Sequence, residues 1–245
     1  VVRSLVLLIF LMGVIGFAMT WMLSHKQMDE SLDLLKQDFN PVAEAILEGR
    51  DQLPLVDMTI RFRGDAAKVE LFVKELYNQR VSLQNAYLQE VNAFGDGALV
   101  LDAADILKEQ DFTRRSEKIR QALAIVDQYR QLSLEQTDRA ISASTALQLH
   151  DPVQARVLAN YKQILVEGRT ALPRTWDNEY PMVSLGGEII ALLENSMGRW
   201  AVPEDGGIVF DSETDRAAYN DLVNRMEAIH KEQLKDRVRM ANFLI

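Results

Sequence analysis

A glutamate and a histidine at helical spacing are the residues of this chain whose chemistry is most suggestive of a metal site. Glu227 and His230 stand three residues apart, which places both side chains on one helical face, as in the di-metal sites of ferritin-like bundles. Such a site needs a second Glu-x-x-His pair and two further glutamates, but neither His25 nor His150 has a glutamate three positions before it. We therefore interpret the pair as part of a solvated polar face and expect no metal site.

Sequence patterns typical of catalysis are missing from the chain. The zinc-protease spacing, the serine-elbow pentapeptide and the phosphate-loop pattern do not occur. The 245 residues include no cysteine, which excludes disulfides, thiolate ligands and cysteine nucleophiles. The formal net charge of −9 disfavours nucleic acid as a partner. We expect a protein that is not an enzyme, with no catalytic or cofactor-binding residues and no cofactor.

Two adjacent glycines, Gly186 and Gly187, precede Glu188. Such a pair at the start of a helix could bind an anion through its backbone amides. It could equally let two helices pack closely, since a glycine has no side chain to hold them apart. We favour close helix packing.

The strongest pattern in the chain is an apolar segment near its start. Residues 4–23 contain no ionisable side chain, and about 20 helical residues rise about 30 Å, the thickness of the hydrocarbon core of a bilayer. This pattern predicts a transmembrane helix that anchors the protein in the lipid bilayer. The side chains that characterise the anchor are Leu5, Leu8, Phe10, Gly13, Gly16 and Trp21.

A cleavable signal peptide is the alternative interpretation of this segment. It requires a shorter apolar region, of about 7–15 residues, and a small-x-small cleavage site. The apolar segment of residues 4–23 is longer than such a region, which favours the anchor. We expect the amino end inside and the body outside the bacterial inner membrane, as a single-pass protein with its body in the periplasm.

Apolar side chains at spacings of three and four predict a succession of helices behind the anchor. We expect residues 1–26 to form the anchor and residues 27–245 to form one periplasmic domain. The fold class is all-α: an elongated bundle of five or six helices with one small β-hairpin at about residues 199–210. The predicted helices cover residues 65–94, 113–149, a segment from 152 onward, 182–195 and 213 to the end, and Gly168, Pro173 and Tyr180-Pro181 predict a break or kink before the helix at 182.

Three aromatic residues lie in and just beyond the predicted hairpin. Trp200 and Phe210 flank its turn, and Tyr219 follows in the last helix. We consider them a candidate surface for a protein partner. The alternative, which the sequence favours, is that they cover the end of the bundle.

The segment around the hairpin also carries a family resemblance. Gly207-Ile208-Val209-Phe210 is followed by Ser212 and by the run from Ala218 to Val223. This order, mainly within residues 199–223, resembles the YiaF-like family of Gram-negative envelope lipoproteins, whose domain has no assigned function. The resemblance implies an envelope location and a helical fold, with the apolar helix in place of the lipid that members carry on a cysteine. It implies no activity and no catalytic residues.

Two functional hypotheses follow. The first is a membrane-anchored, non-enzymatic envelope protein that acts as a structural or accessory subunit, with other membrane or envelope proteins as partners. The second is a sensory periplasmic ectodomain that binds a ligand and signals through membrane helices. Its support is the tail Met240-Ala241-Asn242-Phe243-Leu244-Ile245, which could begin a second membrane segment. We favour the first.

Overall fold

A computed structural model describes residues 37–42, 44–45, 48, 50, 52–93, 106, 112–176, 179–204 and 207–244. The predicted anchor, residues 4–23 with Leu5, Leu8, Phe10, Gly13, Gly16 and Trp21, lies outside these residues. Among the described residues, no helix is both long enough and apolar enough to cross a bilayer.

Five long helices make up most of the described chain. They are α1 (Asp65–Ala93), α2 (Phe112–Ala146), α3 (Pro152–Trp176), α4 (Glu179–Asn195) and α5 (Glu213–Leu244). Helix α2 packs against α1, α3 and α4, and α4 packs against α5. The all-α class with one small hairpin is thus confirmed for the described residues.

The predicted hairpin is confirmed as a pair of short antiparallel strands. Strand β1 is Trp200–Ala201 and strand β2 is Val209–Phe210, with Trp200 opposite Phe210. Gly207, just before β2, has a φ of 85°, a conformation that glycine adopts without steric cost. The hairpin therefore joins α4 to α5 through a turn that the sequence specifies.

Two helices begin at side-chain caps, which fix their first turns. Asp151 Oδ1 accepts a hydrogen bond from the backbone N–H of Gln154 at 3.3 Å, ahead of α3. Ser212 Oγ accepts one from the N–H of Asp215 at 3.3 Å, ahead of α5. The carboxylate of Asp215 pairs with Arg199 at 3.2 Å and so ties the first turn of α5 to the hairpin.

Two predicted helix boundaries differ from the structure. Helix α3 continues through Gly168 and Pro173 and ends at Trp176, so the predicted break before the next helix falls between Trp176 and Glu179. Trp176 is buried against Tyr87, which holds this last turn against the bundle. Helix α4 begins at Glu179, because Pro181 falls in its first turn, where backbone N–H groups have no intrahelical partner.

The core is divided into three clusters along α2, whose 35 residues span about 50 Å. At one end, Phe112 packs with α4, the hairpin and α5; in the middle, Ile119 and Tyr129 pack with α1 and α4. At the other end, Ala140 joins a cluster of α1, α3 and residues 39–62. Segments from opposite ends of the sequence are thus buried at opposite ends of one helix.

Candidate functional site

An extended segment lies along α1 at the end of the bundle that Ala140 marks. We name residues 52–63 the strap. Leu53, Val56 and Phe62 of the strap are buried in the core cluster at this end. The strap runs antiparallel to α1, since Leu53 bonds Asn85 while Phe62 bonds Glu70. Side chains of α1 therefore meet the backbone of the strap along its length.

Two asparagines of α1 each bind both backbone groups of one strap residue. Asn85 accepts from the N–H of Leu53 at 3.2 Å and donates to its carbonyl at 3.0 Å. Asn78 does the same to Val56, at 2.8 and 3.0 Å. We name Asn78 and Asn85 the asparagine pair. An amide side chain has one donor group and one acceptor, so it can replace the neighbouring strand that the strap lacks here.

A buried cluster of charged side chains fixes the second half of the strap. The ammonium of Lys74 lies 2.6 Å from Asp38 and 2.9 Å from Glu70, and donates to the carbonyl of Thr59 at 2.6 Å. Glu70 accepts from the backbone N–H of both Arg61 and Phe62, at 2.8 and 3.0 Å. Lys74 and Glu70 are fully buried, so each depends on these partners for the solvation it lost on folding.

Arg61 closes the charged cluster from the strap. Its guanidinium lies 2.9 Å from Asp38 and 3.1 Å from Asp57. The hydrogen bond to Asp38 raises the pKa of Arg61, and the backbone N–H of Thr59 lowers the pKa of Asp57. Two cations, Lys74 and Arg61, thus balance the carboxylates that they contact within the cluster, and the exposed Asp57 adds one negative charge at its rim.

Three large apolar side chains of the strap are partly exposed. Leu55 is 58% exposed, and Met58 and Ile60 are each 38% exposed. We name these three residues the apolar ridge. Most other exposed large apolar side chains of the described chain are scattered, whereas three here fall within six residues. The ridge therefore combines exposed apolar surface with a backbone that α1 holds in place.

The structure places the three predicted aromatic residues in and around the hairpin end of the core. Phe210 is buried and packs on Tyr219, with ring centroids 5.4 Å apart. Trp200 is half-buried, and its Nε1 donates to the carbonyl of Leu193 at 2.9 Å. Phe210 therefore serves internal packing, while Trp200 and Tyr219 keep part of their surface exposed. Their role in binding a partner stays a prediction.

The Glu227 and His230 side chains lie on an exposed face of α5. Glu227 pairs with Lys231 at 3.3 Å. Within the ranges that the structure describes, no three His, Asp or Glu side chains are grouped as metal ligands would be.

The glycine pair lies where α4 crosses α2. A Cβ on Gly187 would lie 3.0 Å from the Cγ2 methyl of Ile119, and a Cβ on Gly186 would lie 3.6 Å from its Cδ1. The pair sits inside α4 rather than at its start. The expectation of close helix packing is therefore confirmed.

Sequence reasoning missed the strap and its partners on α1. The apolar periodicity of α1, at Val69, Phe72 and the positions that follow, predicts which side of the helix faces the core but not the role of its polar residues. A signal was present: Glu70, Lys74 and Asn78 recur at intervals of four, so they share a face that overlaps the apolar stripe. Polar residues in phase with a buried stripe indicate an internal polar contact.

In comparisons with known proteins, no family model, curated protein or solved structure matches this chain. The arrangement itself is what defines the site. It is a surface of α1 whose side chains bind extended polypeptide backbone, capped by an outward apolar ridge.

Proposed function

We propose that this protein is a membrane-anchored, non-enzymatic accessory subunit of a membrane protein complex in the bacterial envelope. Residues 4–23 anchor it in the inner membrane, and the helical bundle stands in the periplasm. The apolar ridge is the observation that supports this role most directly. Exposed apolar side chains on a fixed backbone are typical of protein interaction sites, since little conformational entropy is lost on binding.

The charge around the ridge favours a protein surface over a lipid surface as its partner. Membrane-binding faces are rich in lysine and arginine. Between Leu55 and Ile60 the one charged residue is Asp57, which is exposed. Arg61 at the edge of the ridge is already paired with Asp38 and Asp57. We therefore assign the ridge to another protein subunit of the complex.

Mild detergent extraction of the native membrane, affinity capture of the full chain and mass spectrometry test this role. The capture is compared with that of the double variant Leu55→Glu, Met58→Glu. The matched control is Val209→Glu, which places one charge on an equally exposed apolar residue at the hairpin, since Val209 is 56% exposed.

The expected result is a membrane partner in constant proportion to the natural chain and to the Val209→Glu control. The ridge variant should retain less than a tenth of that partner while keeping its helical circular dichroism. A chain that emerges alone contradicts the accessory role, and equal capture by the ridge variant contradicts the assignment of the ridge. A lone chain cleaved near Ala18 would instead favour the ligand-binding alternative.

A further inference from the structure

The polar side chains of α1 that contact the strap bind mainly its backbone, although Asn78 also donates to the sulfur of Met58 at 3.1 Å. Asn78 and Asn85 bind N–H and C=O groups, Tyr77 donates to the carbonyl of Pro54 at 3.0 Å, and Lys74 and Glu70 bind further backbone groups. Every peptide unit carries these groups. A surface of this kind accepts any extended chain that reaches it with suitable side chains.

From this geometry we infer that α1 carries a binding site for an extended polypeptide segment, which the strap occupies in the free protein. The ligand that the site takes is an extended segment of a partner protein with apolar side chains three residues apart. Leu53 and Val56 show the requirement, because both are buried while Leu55, which lies between them in the sequence, is 58% exposed. The inference rests on these contacts and does not require the apolar ridge to bind a partner.

The spacing of the asparagine pair matches the repeat of an extended chain. Asn78 and Asn85 are seven residues apart, and seven helical residues rise about 10.5 Å. Leu53 and Val56 are three residues apart, and three extended residues span about 10 Å. Two turns of α1 therefore have nearly the same length as three residues of the bound segment. In the sequence, Asn92 continues the interval of seven.

The strap is joined to α1 through Gly64, whose φ is 62°. This left-handed conformation is open to glycine and turns the chain sharply between the strap and the helix that binds it. The short connection gives the strap an effective concentration of the order of millimolar, so a partner segment must bind more tightly or meet the strap while it is open. The strap then acts as an internal competitor for the site.

A peptide that copies residues 52–63, with blocked ends and a fluorescent label, is the probe for this site. The full chain with Leu53→Ala and Val56→Ala has a weakened strap and an unchanged α1. We expect this variant to bind the peptide at least tenfold more tightly than the natural chain does. Adding Asn78→Leu and Asn85→Leu should reduce that affinity at least tenfold. A peptide with serine at both inward positions is the control and should bind at least tenfold more weakly.

Equal binding with and without the asparagine pair would overturn the inference, as would no binding to a variant whose helical circular dichroism is intact. Should the weakened variant unfold, hydrogen exchange on the natural chain decides. Excess unlabelled peptide should then accelerate exchange at the strap amides of Leu53 and Val56 at least threefold, because it captures the open site. Unchanged exchange overturns the inference. The result of the peptide experiment does not change whether a membrane partner co-purifies. This inference and the proposed accessory role can therefore be contradicted independently.

Discussion

The two ends of α2 are stabilised by different kinds of contact. At the strap end, Lys74, Glu70 and Asp38 form a buried charged cluster that holds the backbone of another segment. At the hairpin end, Leu193 and Phe210 belong to an apolar cluster between α4, the hairpin and α5. One end is therefore held by directional bonds and the other mainly by non-directional packing.

This difference determines how each end responds to substitution. Apolar packing loses stability roughly in proportion to the volume and contact removed. A buried charged cluster fails when one member is removed, because the remaining charges keep their desolvation penalty without their partner. We expect the strap end to be sensitive to charge and the hairpin half of the molecule to be sensitive to shape.

Removing the ammonium of Lys74 should have the largest effect. Lys74→Met leaves the buried Glu70 without its cation and Asp38 with Arg61 alone, and should lower the free energy of unfolding by about 3–5 kcal/mol. The measurement is urea unfolding of the full chain in detergent, followed by circular dichroism. The matched control is Lys231→Met, because the pair of Lys231 with Glu227 is exposed, at 69% and 58%, and should contribute less than about 1 kcal/mol.

A loss below about 1 kcal/mol for Lys74→Met would show that the charged cluster is no stronger than a surface ion pair. The strap end would then be no more sensitive to the loss of a charge than the rest of the molecule, which contradicts the expected difference between the two ends.

The glycine pair tests sensitivity to shape where α4 meets α2. Gly186→Ala should stabilise the protein by about 0.5–1 kcal/mol, because alanine is a better helix former and its Cβ finds ordinary contact distance. Gly187→Ala should be less stable than Gly186→Ala by about 1–2 kcal/mol, because its Cβ meets the Cγ2 of Ile119 at 3.0 Å.

Urea unfolding of both variants measures this gap, and Ile119→Leu provides the control. Leucine lacks the branched methyl at Cγ2, so the gap between the two alanine variants should narrow in that background. Equal stability of the two variants in the natural background would contradict close packing at Gly187.

The smallest effect is expected from acid, at the point where α1 begins. Asp65 binds Lys68 at 2.8 Å and accepts from the backbone N–H of Asp151 at 2.8 Å and from that of His150. The hydrogen bond from Lys68, followed by those backbone bonds, holds the pKa of Asp65 well below its usual value of 3.8. Because the pKa of Asp65 is lower in the folded than in the unfolded protein, its ionised carboxylate stabilises the fold at pH values above the unfolded pKa. This stabilisation is lost as the pH falls below about 4.

The free energy of unfolding should therefore decline between about pH 5 and pH 2, and Asp65→Asn should make the decline shallower. Urea unfolding at several pH values measures the slope. Asp221→Asn is the control, since Asp221 is 69% exposed. If the free energy of unfolding falls with pH equally steeply in the natural protein and in Asp65→Asn, protonation of other groups causes the acid destabilisation.

Local features of the sequence determined most of the helical fold. The start of α1 at Asp65, the cap at Asp151 and the cap at Ser212 follow from residues within a few positions of each other. Their physical basis is the satisfaction of nearby backbone groups, which needs no knowledge of distant segments. The glycine pair belongs here in part, since its lack of side chains predicted close packing, although its partner Ile119 did not follow from the sequence.

The tertiary structure alone decided the strap and its charged cluster. Asp38, Arg61 and Lys74 meet although they are far apart in sequence, and Asn85 binds a residue 32 positions before it. On a helix taken alone, Glu70 and Lys74 form an ordinary exposed pair at i and i+4. They are buried because an extended segment covers them and offers them its backbone groups, and a polar side chain is stable in a core only where such partners are brought to it.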